Sequence, residues 1–285
     1  MPLTKLDVNW ALTASLPKPD FVLPGLMPGT FGLLVAPGGT GKSMLALDIL
    51  ISLASGTSAA AGLFPSQPAA KVVFLAAEES KCMLAHRLRS MVLDQPLNDN
   101  LLNNLVLLPM AGELCLLINK NGKSTNLFHE LVEISAGARL IIVDPLRRTH
   151  SSDENSSSEM TRLVVALEQL AKRTGAAVIG LHHANRSNQE SGSQNISRGS
   201  SALVDGCRWQ INLTKMDEKS AQARSIPETD RHLYVSVDFA KANYLPPQKR
   251  IWLKRQPSGR FVVDIQPYDA PAKLKKTNPI NSTSL

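Results

Sequence analysis

Residues 36–43 combine the glycines, the lysine and the hydroxyl that can bind a nucleoside triphosphate. The segment reads Ala-Pro-Gly-Gly-Thr-Gly-Lys-Ser and matches the pattern G-x-x-x-x-G-K-S/T, with Ala36 in place of the first glycine. Glycines let successive backbone N–H groups point inward around phosphates, and the helix that follows adds the positive end of its dipole. In such a loop Lys42 neutralises the β- and γ-phosphates and the Ser43 hydroxyl binds Mg²⁺. We therefore predict a nucleotide site with the loop residues Pro37, Gly38, Gly39, Thr40, Gly41, Lys42 and Ser43.

Asp144 is the first acidic candidate, because it ends the apolar run 140–143. An acid at the end of a buried strand, in a chain with a phosphate loop, is interpreted as the group that holds a magnesium-bound water beside Ser43. Taken without the loop, the same aspartate is equally well a helix cap or a turn residue.

Glu78 and Glu79 follow the apolar run 74–77. Ligands of open α/β sheets bind at the carboxyl ends of strands, and a carboxylate there can align and deprotonate an attacking water. Glu78 is favoured as the catalytic residue because it lies nearer the strand end. The alternative is a surface pair that opens the next helix, where the helix dipole favours acidic groups.

His182 and His183 end a further apolar run, 178–181. Neighbouring residues of a strand point to opposite faces, so the two imidazoles cannot chelate one metal ion together. One of them can contact the γ-phosphate or the attacking water. A structural histidine at the end of a sheet is the alternative.

The elements that must position these residues alternate along the chain. Apolar runs typical of strands occur at 31–35, 71–75, 105–108, 139–143 and 176–181, with helical patterns between them. Such alternation predicts right-handed βαβ units and a parallel sheet. Later runs, at 208–213, 233–239, 250–254 and 261–265, are predicted to be antiparallel additions at one edge. The expected fold class is therefore α/β, a mostly parallel twisted sheet flanked by helices.

Composition sets broad limits. The 285 residues are 43% hydrophobic, which excludes a disordered chain, and 31 Lys and Arg against 24 Asp and Glu give a net charge of +7. That charge fits a polyanionic partner, although many enzymes are as basic. Three widely spaced cysteines predict neither disulfides nor a zinc site. No leader-like N-terminus or run of ~20 apolar residues occurs, so we expect a cytoplasmic protein with no membrane partner.

The chain is predicted to divide into three parts. Residues 1–20 are rich in proline near their end and are interpreted as an N-terminal arm. Residues 21–268 form the ATPase domain, and residues 269–285 form a disordered basic tail.

Seven segments together resemble the RepA-type hexameric replicative helicases of IncQ-like broad-host-range plasmids. The resemblance covers roughly residues 20–265, and its order and spacing are more specific than the phosphate loop alone. More distantly the chain is similar to the RecA/DnaB class of ring motors. The segments are 37–47, 77–79, 143–148, 181–183, 197–205, 208–210 and 241–244.

The resemblance implies a RecA-like P-loop NTPase core and a homo-hexameric ring with ATP and Mg²⁺ at the subunit interfaces. It also implies 5′→3′ movement on single-stranded DNA, with a plasmid initiator and a primase as partners. By position, Glu78 is the catalytic carboxylate, Asp144 the second acidic motif and His183 the γ-phosphate sensor.

A cation supplied by the neighbouring subunit is also implied. Arg208 falls where the RepA type carries an arginine finger, whereas many DnaB-like motors use a Lys-x-Arg pair near the last strands. That place reads Lys241-Ala242-Asn243 here, so the second cation of the pair is missing. Arg208 and Lys241 both remain candidates to act in trans, and Arg208 is favoured because a guanidinium matches spread phosphate charge better. The alternatives are an edge-strand arginine and a solvated lysine.

Two polar loops are expected to face DNA. The first, 147–158, carries Arg147 and Arg148, and the second, 185–198, carries Arg186 and Arg198. These arginines can contact DNA phosphates without reading the base sequence. Neither loop contains an aromatic residue, so base stacking is not predicted; the alternative for each is a mobile surface loop.

The expected function is an ATP-dependent ring motor that translocates on single-stranded DNA and unwinds duplex DNA in plasmid replication. Two alternatives remain open. One is a RecA-like filament ATPase that coats DNA without unwinding it, and the other is a nucleotide-switched regulator that binds a partner.

Overall fold

The computed structural model describes residues 3–93, 98–183 and 201–265. Within them, the strands of one sheet are β1 (Phe31–Ala36), β2 (Val72–Ala76), β3 (Leu105–Pro109), β4 (Leu140–Asp144), β5 (Ala177–His183), β6 (Trp209–Lys215), β7 (Tyr234–Ala242), β8 (Ile251–Arg255) and β9 (Phe261–Val263). The α-helices are α1 (Val8–Thr13), α2 (Lys42–Ser55), α3 (Lys81–Val92), α4 (Asp99–Asn104), α5 (Asn126–Ile134), α6 (Ser157–Thr174), α7 (Ala202–Gly206) and α8 (Glu218–Ala223).

The sheet has the strand order β3-β2-β4-β5-β1-β6-β7-β8-β9. Strands β3 to β6 in this order are parallel, and β7, β8 and β9 pair antiparallel with their neighbours. The predicted mostly parallel sheet with antiparallel strands at its C-terminal edge is thus confirmed. The prediction for 208–213 was wrong in one respect: β6 is parallel to β1, and the antiparallel pairing begins only between β6 and β7.

Both faces of the parallel sheet are buried, which explains the continuous apolar runs. In β1, Leu34 belongs to the core on one face, whereas Leu33 and Val35 belong to the core on the other. Helix α2 is almost wholly buried in the first core, and α6 packs its apolar face into the second. Burial on both sides fixes the register of β1 and therefore the place where its last residue meets the phosphate loop.

The strand ends bring the candidate residues to one edge of the sheet. In the register of the parallel strands, Ala36 pairs with His183 and Ala76 pairs with Asp144. Helix α2 begins directly after the loop, and Gly56 ends it in the left-handed conformation with a φ of 76°. The carboxyl ends of β1, β2, β4 and β5 therefore meet around the start of α2.

Residues 3–20 lie outside the core. Their side chains are exposed, apart from the half-buried Ala11 and Ala14, and α1 buries none of its residues. The core begins at Val22, which is completely buried. Asp20 forms an ion pair with Arg139, which joins the end of this segment to the start of β4. None of the helices in the described ranges combines the length and apolar character that a bilayer crossing requires.

Candidate nucleotide-binding site

The phosphate loop forms a closed turn between β1 and α2. Gly39 and Gly41 have positive φ angles of 67° and 107°, which favour glycine. The Thr40 hydroxyl donates to the Pro37 carbonyl at 2.9 Å, and the Lys42 ammonium donates to the carbonyls of Ala36 at 3.0 Å and Pro37 at 3.3 Å. The lysine therefore bends back over the loop, where it can neutralise a bound anion.

Lys42 is only 7% exposed, and it forms no ion pair within the described residues. Burial lowers the pKa of the ammonium, while the charges of Asp144 and Glu78 act in the opposite direction. A buried cation without a close counter-ion is costly unless an anion neutralises it. The phosphates of a nucleotide provide such an anion.

Asp144 stands at the end of β4, near enough to Ser43 for that side chain to act on the pKa of its carboxyl. Burial raises the pKa of the Asp144 carboxyl to about 6, against the opposing effects of Ser43 and Lys42. The described residues contain no group of three or more His, Cys, Asp or Glu side chains that could hold a metal ion. A hydroxyl and a carboxylate are suitable ligands for Mg²⁺, which takes its other ligands from phosphates and water. The residues present therefore fit a magnesium–nucleotide complex.

The two glutamates after β2 have different surroundings. Glu79 forms an ion pair with Arg87 at 2.6 Å, and its side chain is 19% exposed. Glu78 is 58% exposed, and its cationic neighbour is the Arg148 Nε at 4.0 Å. The charge of Glu78 raises the pKa of both Lys42 and His183, against the larger effect of burial. Glu78 is therefore the less engaged of the two carboxylates, and its catalytic role stays a prediction.

His183 ends β5 next to the loop. Its Nδ1 lies 3.5 Å from the Lys42 Nζ, and burial followed by the Lys42 charge lowers the pKa of its imidazole. His182 is buried, and the strand turns neighbouring side chains to opposite faces. Only His183 of the two therefore lies beside the loop.

Arg208 and Lys241 lie where the parallel strands β1 and β6 begin, at the far end of these strands from the phosphate loop. The Arg208 backbone N–H donates to the Phe31 carbonyl, at the start of β1. Since a strand rises about 3.3 Å per residue, that point is about 17 Å from the loop end of β1. Lys241 donates to the carbonyls of Val204 at 2.8 Å and Asp205 at 3.2 Å. Neither cation reaches the phosphate loop of its own chain.

Arg208 and Lys241 differ in the hydrogen bonds that their side chains make. The exposed Arg208 guanidinium has no hydrogen bond or ion pair with the part of the chain that the structure describes, whereas Lys241 is held by α7. Arg208 is therefore the better placed of the two to meet another molecule.

Arg147 and Arg148 form a short turn after β4, at the same edge as the loop. Arg147 lies 3.7 Å from Glu154, and its side chain is half-exposed. Together with His183 and residues 152–155, Arg147 lines an open cleft of about 370 Å³. Arg186 and Arg198, the other predicted DNA contacts, lie outside the described residues.

Two basic residues that the sequence analysis missed also reach the phosphate loop. The Arg255 guanidinium, at the end of β8, donates to the Thr40 carbonyl at 2.9 Å. The ammonium of Lys215, at the end of β6, lies 3.7 Å from the point where a Cβ would stand on Gly39. Their sequence positions carry no motif; only the strand order brings them to the loop.

The loop between β1 and α2, at the carboxyl edge of a mostly parallel sheet, defines a P-loop ATPase. The AAA domain family AAA_25 matches residues 1–189 of the 285, and the chain belongs to that family.

Solved structures share the fold at low sequence identity. The crystal structure of the RadB recombinase is 18% identical, with a TM-score of 0.54 over 85% of this chain and 93% of that chain. The structure of a DnaB-like replicative helicase, described with its interactions with primase, is 15% identical, with a TM-score of 0.61 over 90% of this chain and 66% of that chain. The predicted RecA-like fold is thereby confirmed.

Proposed function

We propose that this RecA-like ATPase is a replicative DNA helicase of the RepA type, which assembles as a homo-hexameric ring. ATP hydrolysis drives it along single-stranded DNA and unwinds duplex DNA in plasmid replication, with a plasmid initiator and a primase as partners. The observation that carries the proposal is the separation of the phosphate site from Arg208, which an active site completed by a neighbouring copy requires.

Binding of ATP relies on the loop residues. The N–H groups of 38–43 surround the phosphates, and Lys42 neutralises their charge. Ser43 and Asp144 would hold Mg²⁺, which neutralises charge that develops on the phosphates when bound. The donor set described above supports this assignment.

Hydrolysis needs a base and an external cation. Glu78, which is exposed after β2 and whose charge acts on Lys42 and His183, aligns the attacking water and accepts its proton. Arg208 of one subunit steadies the transition state on the next subunit, and Lys241 is the weaker candidate because α7 holds it. A finger of this kind is worth ~10³–10⁵ in rate, so isolated subunits hydrolyse ATP slowly.

ATP hydrolysis is coupled to DNA binding through residues at the ends of β4 and β5. His183 contacts Lys42 and also lines the cleft that contains Arg147, so loss of the γ-phosphate changes the neighbourhood of that arginine. Arg147 and Arg148 would contact DNA phosphates, and we retain Arg186 and Arg198 as candidates of the same kind.

Residues 1–20 are proposed to pack on a neighbouring subunit. In the described part of the chain, this segment carries a set of large apolar side chains that are more than half exposed. They are Leu3, Leu6, Val8, Trp10, Leu12 and Leu16. Residues 21–268 then form the motor domain and 269–285 the basic tail.

A strand-displacement assay on a forked duplex tests the proposal. We expect unwinding that requires ATP and Mg²⁺, and closed rings in electron micrographs. ATP hydrolysis without unwinding, with helical filaments on DNA, would instead indicate the filament alternative. Hydrolysis that single-stranded DNA does not stimulate would indicate the regulatory alternative.

A further inference from the structure

Arg255 contacts the phosphate loop from a strand 215 residues further along the chain. Strand β8 is antiparallel to β7, which is antiparallel to β6, so β8 runs in the same direction as β1 and ends at the same edge. There the Arg255 Nη2 donates to the Thr40 carbonyl at 2.9 Å. The contact lies within one chain and is independent of any neighbouring subunit.

The guanidinium is held in one orientation. It lies over the ring of Phe261, with 5.5 Å between its central carbon and the ring centre, and Phe261 is buried. A Cβ on Gly41 would lie 2.5 Å from the Arg255 Nη2 and 2.9 Å from the Phe261 Cζ, so this packing leaves room only for glycine. The Arg255 Nε–H is buried and has no acceptor within the described residues, a costly arrangement that the remaining contacts must offset.

The hairpin that carries Arg255 is fixed to α2. Arg260 donates to the buried Asp48 at 2.8 Å and to the Ser52 hydroxyl at 3.2 Å. A Cβ on Gly259 would stand 2.2 Å from the Met44 Cε, so the turn of the hairpin also lies against the first turn of the helix. Arg255 is therefore held at the loop by contacts on both sides of the β8–β9 turn.

Because the peptide bond is planar, the contact with the Thr40 carbonyl also constrains the direction of the next backbone N–H. The Thr40 carbonyl and the Gly41 N–H belong to one trans peptide, so they point in opposite directions. Because Arg255 donates to this carbonyl, the Gly41 N–H points away from Arg255. Inward N–H groups are what a phosphate loop offers its ligand.

We propose that Arg255 is a positioning residue, which presets the Thr40–Gly41 peptide so that its N–H faces the phosphates. The inference rests on the proposed nucleotide site and deepens it. A residue that acts on the loop in this way supports every nucleotide that occupies the loop. It therefore affects ATP and ADP alike, whereas a cation from the neighbouring subunit that contacts the γ-phosphate affects ATP alone.

The test compares Arg255→Met and Arg255→Lys with Lys254→Met in the full chain. Lys254 precedes Arg255 in β8, and its ammonium lies over the ring of Tyr234, away from the loop, so this control removes the same charge from the same strand. Calorimetry measures the Kd of Mg-ADP and of a non-hydrolysable Mg-ATP analogue. We expect Arg255→Met to weaken both about tenfold, Arg255→Lys to regain part of the affinity, and the control to match the wild type.

Steady-state ATPase kinetics distinguish a positioning role of Arg255 from a general loss of folded structure. Loss of ground-state binding alone raises the KM for ATP and leaves kcat at saturating ATP near the wild-type value. The unfolding temperature of nucleotide-free Arg255→Lys should match that of the control, and this variant decides the matter if Arg255→Met does not fold. Unchanged ADP affinity in both variants, or a loss confined to the ATP analogue, would overturn the inference. A wild-type chain that binds neither nucleotide would overturn the nucleotide site itself, and the inference with it.

Discussion

The Lys42 ammonium lies 3.5 Å from the Nδ1 of His183, across the junction between two parallel strands. One residue belongs to the phosphate loop, and the other ends the strand that pairs with β1 in register. In the sequence, the residues after β5 carry the second of the predicted DNA loops. The contact places phosphate binding and the proposed DNA-facing edge next to each other.

Lys42→Ala should abolish ATP turnover, with a loss of at least ~100-fold in kcat/KM, because the phosphates lose their buried counter-charge. Assembly should persist, since the polar contacts of the Lys42 ammonium with the described residues are to its own loop and to His183. Steady-state phosphate release and light scattering measure the two effects. Lys71→Ala is the matched control, because Lys71 contacts the Ala136 carbonyl away from the loop. Retained turnover in Lys42→Ala would remove the whole site assignment.

Glu78→Gln should lower kcat about 100-fold or more and leave the Kd for Mg-ADP nearly unchanged, because the carboxylate acts on the water and not on the phosphates. Glu79→Gln should lose far less turnover, since Glu79 is paired with Arg87. Parallel kinetics and calorimetry on the two variants distinguish the roles. If Glu79→Gln proved the inactive variant, the catalytic assignment would have to be exchanged between the two.

The buried carboxyl of Asp144 predicts a pH-dependent stability difference. Burial raises its pKa from 3.8 to about 6, so the folded state holds this proton more tightly than the unfolded chain does. The resulting stability is present below about pH 4 and is lost as the pH rises through about 6. Nucleotide-free wild type should therefore lose up to about 3 kcal/mol relative to Asp144→Asn between those limits. Urea unfolding at about pH 4 and pH 7.5 measures the difference, and a constant or opposite trend would contradict the burial of an ionisable group here.

Much of this fold could be predicted from the sequence because buried parallel strands leave a strong local signal. The strands from β1 to β5 are short apolar runs. Residues 36–43 form a local motif that predicts phosphate binding. The direction of β6 was predicted wrongly because strand pairing is a long-range property that an apolar run does not encode. Its pairing with β1, and not its own residues, makes it parallel.

The candidate site likewise combines residues that a local sequence pattern predicts with a residue that depends on long-range strand pairing. Lys42, Asp144, Glu78 and His183 all follow apolar runs, so their convergence at one edge could be predicted from the rule that ligands bind at the carboxyl ends of parallel strands. Arg255 could not be predicted, because its contact with Thr40 depends on the order of four strands in the sheet.

Removal of residues 1–20 should lower the number of subunits in the assembly, because the large apolar side chains of α1 and its flanks are more than half exposed in the described part of the chain. Light scattering of the shortened chain measures this effect. Since Val22 already belongs to the core, the remaining domain should keep its unfolding temperature. An assembly with an unchanged number of subunits would refute the proposed packing of the arm on a neighbour.

We propose that a second copy completes the active site, and a mixture of two inactive variants can test this claim. Lys42→Ala lacks the phosphate counter-charge, and Arg208→Ala lacks the finger. In a mixed assembly, an intact phosphate loop of one variant meets an intact Arg208 of the other, so ATPase activity should return to a fraction of the wild-type rate. Mixed assemblies that form yet show no more activity than either variant alone would contradict the claim.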